Sequence, residues 1–124
     1  MRVTIDHVQT TKGIFQKKTV YEVHTRVEFD SSEIAVIKQH KLDRLTILER
    51  QPSAHARGKN FAAERPDIFN LNVYNLLNST DEYQCETPLE AKQYDGELRE
   101  ALRNLKAYLD ANGAPVSGRD TFEL

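Results

Sequence analysis

Residues 87–113 read TPLEAKQYDGELREALRNLKAYLDANG, and this stretch writes out one amphipathic helix together with both of its ends. Thr87-Pro88-Leu89-Glu90 is a capping box, in which the threonine hydroxyl accepts from the Glu90 amide and the glutamate reaches back. Pro88 stands at the first helical position, where a missing N–H costs nothing. Asn112-Gly113 supplies the left-handed stop, and Pro115 prevents a restart. Between these ends, Tyr94, Leu98, Ala101, Leu102, Leu105, Tyr108 and Leu109 recur at spacings of three and four, which makes one apolar stripe. Asp95/Arg99 and Lys106/Asp110 are four apart and can pair on the wet side. A stripe of this length needs a surface to cover, and the rest of the chain is read for that surface.

Two-residue alternation upstream supplies it. Val3 and Ile5 share a face in a first strand over Arg2–Val8, and Thr10–Gly13 has turn chemistry. Thr19–Phe29 is the clearest strand: Tyr21, Val23, Thr25, Val27 and Phe29 alternate with Val20, Glu22, His24, Arg26 and Glu28. Asp30-Ser31-Ser32-Glu33 is a second capping box and opens a helix of about ten residues. Arg44–Arg50, Phe69–Leu77 and Glu82–Glu86 read as three more strands. The resulting order is β-β-α-β-β-β-α, an α+β fold with a mostly antiparallel sheet and the long C-terminal helix packed on one face. Residues 1–116 are read as one domain and 117–124 as a flexible tail. The pattern resembles that of small bacterial α+β proteins, a likeness that brings no chemistry with it.

Composition narrows the function classes. Charged residues make up 29% of the 124, and mean hydropathy is −0.64, values of an ordinary soluble globular domain. No apolar run approaches the ~18 residues of a membrane span, and the N-terminus has no apolar signal core, so a cytoplasmic protein is expected. Residues 1–80 carry 12 Lys+Arg against 9 Asp+Glu, whereas 81–124 carry 5 against 10, so the basic part could face an anionic partner. No phosphate loop, nucleophile elbow or His-Glu-x-x-His is present. His7, His40, His55 and Cys85 show no metal-ligand spacing, and no metal or cofactor is expected.

Two polar groups remain as candidate sites. The segment 51–67 is bounded by Pro52 and Pro66, lacks an apolar period and, with Arg50 just before it, sets Arg50, His55, Arg57, Lys59 and Arg65 against two acids, Glu64 and Asp67. Arg57, Lys59, Arg65 and His55 are its candidate ligand-binding residues, since guanidinium groups and flexible backbone amides suit phosphate or carboxylate oxygens. Glu22, His24 and Arg26 share the wet face of the second strand, where a histidine between carboxylate and guanidinium could move a proton. The first expectation is a binding or interaction domain without catalytic activity, with a homodimer as one arrangement. Nucleic-acid or other polyanion binding through 51–67 is the alternative, and a small enzyme built on the Glu22 face is third.

Overall fold

The computed structural model describes residues 1–13, 15, 17–51 and 68–113. Its strands are β1 (Arg2–Lys12), β2 (Lys18–Glu28), β3 (Thr46–Arg50), β4 (Phe69–Asn72) and β5 (Asp81–Cys85). Its helices are α1 (Ser31–Gln39), α2 (Val73–Asn78) and α3 (Pro88–Gly113), with a 3-10 turn at Leu42–Arg44. The two long helices begin as their capping residues dictate. Thr87 Oγ1 accepts from the Glu90 amide at 3.1 Å, and Asp30 and Glu33 make the reciprocal pair of a full capping box. The turn between β1 and β2 uses Gly13 at φ 114°, a conformation that glycine adopts without a Cβ clash.

The fold is α+β and antiparallel, with α3 packed on the strands. Its sheet is divided in two. β2 lies between β1 and β5 in a three-stranded sheet, while β3 pairs with β4 in a separate ribbon. The β1–β2 register sets Val3 opposite Val27, Ile5 opposite Thr25 and His7 opposite Val23, so the odd-numbered residues of both strands share the face that α3 covers.

Phe69–Leu77 is not one continuous strand. β4 ends at Asn72, and α2 follows it. Asn72 caps this short helix: its side chain accepts from the Asn75 amide at 3.0 Å, and Asn75 accepts from the Asn72 amide at 3.1 Å. Val73 and Leu76 bury at a helical spacing of three, and Tyr74 is 55% exposed. The apparent alternation thus combined a short strand with one helical face, and a local side-chain cap decided the outcome. Leu76 belongs to the core and Tyr74 to the exposed side of a helix, so neither stands on a strand face.

Two apolar clusters meet along α3. Tyr94, Leu98 and Leu102 pack with Val23, Val27, Phe69, Leu71, Tyr83 and Cys85, while Leu105 and Leu109 pack with Val36, Ile37 and Val73. Phe69 sets its ring edge-on to Tyr83 at 4.8 Å and to Tyr94 at 5.7 Å, and the two tyrosines stack at 4.1 Å. Tyr108 departs from the expected stripe and is 46% exposed. At 3.6 residues per turn it points roughly 80° away from the line through Leu98, Leu105 and Leu109.

Candidate binding surface

The Glu22 face of β2 resolves into two pairs. His24 Nε2 lies 2.9 Å from Glu22 Oε1, and Gln84 Nε2 on β5 donates to Glu22 Oε2 at 3.2 Å. Arg26 Nη2 donates to Glu28 Oε2 at 2.7 Å instead of reaching the histidine. The three expected residues therefore share a face, but the guanidinium and the imidazole serve different carboxylates. This is ordinary pairing within a sheet face.

Arg57, Lys59, Arg65 and His55 lie outside the described residues. Arg50, counted with them in the sequence, is described, and its role is partly internal. Its guanidinium carbon stands 5.4 Å from the Tyr83 ring centroid and 5.9 Å from that of Tyr94, with Nη1 3.7 Å from Glu97. Cation–π attraction holds the side chain against the aromatic cluster. Nε and Nη1 are buried without a hydrogen-bond partner among the described residues.

Cys85 is buried, and burial pushes its thiol up to about 12, with the Glu90 charge adding to the effect. A thiol so disfavoured from ionising is a packing group rather than a nucleophile. Among the described residues, no group of three His, Cys, Asp or Glu stands where it could hold a metal ion. His7 instead bonds Asp95 on α3, Nε2 to Oδ2, at 2.6 Å.

One concavity among the described residues was not anticipated. A groove of about 590 Å³ runs between β1 and the flank of α3. Met1, Val3, Ile5, Leu102 and Ala107 supply its apolar surface, and Arg99, Arg103, Lys106 and Asp110 its charged side. α3 lies over β2 and β5, so the outer strand β1 is incompletely covered. Val3 remains 38% exposed for that reason. The cations are not equivalent. Arg99 donates to Asp95, and Lys106 donates to Asp110 at 2.7 Å while lying 3.6 Å from Glu33. Arg103 is exposed and has no ion pair among the described residues. The groove thus combines an apolar floor with one uncommitted guanidinium and two cations held in place by acids.

Asp95 fixes the end of this groove where β1 meets α3. Burial would raise its carboxyl, but hydrogen bonds from Arg99 and His7 outweigh burial and hold it below the usual carboxylate range. A carboxylate depressed on folding contributes stability above its unfolded value of about 3.9, and loses that contribution as pH falls through the folded value. Asp95→Asn is therefore expected to weaken the protein at neutral pH, with a deficit that shrinks below pH ~4. Urea unfolding of both proteins across that range measures it. A deficit that does not change with pH would mean that the carboxylate charge contributes nothing.

Comparison of the chain with protein-family models, curated proteins and solved structures gives no match.

Proposed function

We propose that this protein is a binding module without catalytic activity, and that the β1/α3 groove receives an acidic amphipathic helix from a partner protein. The observation that carries the reading is Arg103, which among the described residues is an unpaired guanidinium beside an apolar floor that no helix covers. α3 packs on β2, β3 and β5, and a partner helix would extend the same layer across β1. From Arg99 to Asp110 the groove wall is about 16 Å long at 1.5 Å per residue, which matches three turns of an incoming helix. Its apolar stripe would meet Val3, Ile5 and Leu102, and carboxylates along its edge would meet Arg103.

The test uses a synthetic amphipathic helix of about three turns with a leucine stripe edged by glutamates. Binding with NMR shifts centred on Val3, Ile5 and Leu102 is expected. Arg103→Glu should weaken that binding by about tenfold, equivalent to about 1.4 kcal/mol, and should favour a lysine-edged version of the peptide. Unchanged affinity in Arg103→Glu, or shifts located elsewhere, would refute the assignment.

A second reading is supported by Arg50. Two of its N–H-bearing nitrogens are buried without an acceptor among the described residues, at the end of the strand leading into the segment with His55, Arg57, Lys59 and Arg65. Polyanion binding there would weaken steeply as salt rises, whereas peptide held mainly on the apolar groove would not. Salt titration separates the two. Association of the protein with a second copy of itself belongs to the same view of an interaction module.

A further inference from the structure

We propose that two copies of this chain pair through the outer edge of β1, antiparallel, with the two-fold axis passing through Thr4. Among the described residues β1 is the longest edge strand, at 11 residues, and has a neighbour on one side only, β2. An edge of that length offers a row of backbone donors and acceptors to another strand. Folded proteins protect such edges or use them; β1 holds no proline, and no described helix covers its edge.

The sequence of β1 determines the pairing. In an antiparallel ladder, directly opposite residues point to the same face, so a two-fold at Thr4 sets Arg2 of one copy against Asp6 of the other and Val3 against Ile5. Opposite charges then meet on the outer face, and apolar side chains meet on the face carrying α3. Moving the axis to Ile5 sets Arg2 against Val8 and Val3 against His7. Moving it to His7 sets Arg2 against Lys12 and Asp6 against Val8. An axis at Gln9 recovers one charge match, Asp6 with Lys12, but brings no two apolar side chains together. The Thr4 axis alone among these satisfies both faces, and such matching is what specifies register in a sheet.

The exposure of Val3 supports the same arrangement. At 38% exposed, it is one of the large apolar side chains left open on the described surface, and pairing would set the partner's Ile5 against it. Helices of both copies would lie on the same side of a six-stranded sheet. The two grooves would then adjoin across the axis, so that Val3 and Ile5 of both copies form one floor. The proposal stands on the strand edge itself and survives if the groove takes no peptide.

Cysteine cross-linking tests it in the full chain. Directly opposite residues place their Cβ atoms about 4.5–5.5 Å apart, close enough for a disulfide with small adjustment. Thr4→Cys should give a covalent dimer on mild oxidation. Thr10→Cys should not, because that pair would be separated by roughly 40 Å along the strands. Cys85 can stay in place as a buried, unreactive thiol. Separately, Asp6→Arg and Arg2→Asp should each weaken the dimer about tenfold by sedimentation, and the double reversal should restore most of the loss, with circular dichroism confirming that each variant folds. A wild-type protein that sediments only as a monomer at high micromolar concentration would overturn the proposal. So would cross-linking by Thr10→Cys in preference to Thr4→Cys, or a double reversal no better than the single changes.

Discussion

Phe69→Ala is expected to cost about 3–5 kcal/mol of folding stability, the range for removing a large aromatic side chain from a packed core. The ring is fully buried and is the meeting point of three elements. It belongs to β4, but its edge contacts are with Tyr83 on β5 and Tyr94 on α3, so it ties the two-stranded ribbon to the main sheet. Deletion forfeits those edge-to-face contacts and leaves a space that stacked tyrosines fill poorly. Their mutual stacking and the Tyr94 hydroxyl, which donates to Asp81 at 3.1 Å, hold them where they are. Urea denaturation should show a lower midpoint with an unchanged slope, the sign of lost stability without a change in the unfolded chain. A loss below about 1 kcal/mol would be closer to a surface change and would mean that the ribbon is not anchored through this ring.

Leu109→Ala is expected to cost about 2–5 kcal/mol, while Tyr108→Ala, one residue away, should stay within about 0.5 kcal/mol. Both side chains are apolar, and the difference is one of direction. Leu109 is 2% exposed among Val36, Ile37, Val73 and Leu105, whereas Tyr108 is 46% exposed. Thermal or urea melts of the pair measure the contrast. Equal costs would mean that the last turns of α3 are rotated from the orientation described.

Most of the architecture was legible because local chemistry and long-range packing agree. Thr87 and Asp30 are caps in the sequence and caps in the fold, and the Thr19–Phe29 alternation became β2 with a shift of one residue at each end. Phe69–Leu77 misled because four residues of true strand are followed by a helix whose own period places Val73 and Leu76 inward. An Asn72-to-Asn75 cap carries less visible sequence signal than Ser, Thr or Asp followed by Glu. The division into two sheets was not readable either, since nothing in the strands' composition states which edges meet.

The groove was half legible. At 100° per residue, Arg99, Arg103, Lys106 and Asp110 fall within about 60° of one another, so a basic flank on α3 could have been found from the sequence alone. Only the position of α3 over β2 and β5 reveals that Val3 lies open beside it and Ile5 is only partly buried. The Asp95/Arg99 and Lys106/Asp110 pairs expected on the wet side do form, but their spacing carries no sign of the apolar strand beside them. The reverse happened at Arg50. It looked like part of a basic loop, yet its guanidinium stands against two core tyrosines.

The arrangement of α3 carries a mechanical consequence. Its 26 residues form a rod of about 39 Å at 1.5 Å per residue. The first part is fastened to the sheets through Tyr94, Leu98 and Leu102, and the last part to α1 and α2 through Leu105 and Leu109. The helix therefore acts as a splint between the two apolar clusters. Neither end can come loose without bending a hydrogen-bonded rod or breaking it near residues 103–104. Loosening at one end is thereby passed to the other, and the chain should open as a single unit, so that a force or ligand acting on the α1 end is felt in the sheet.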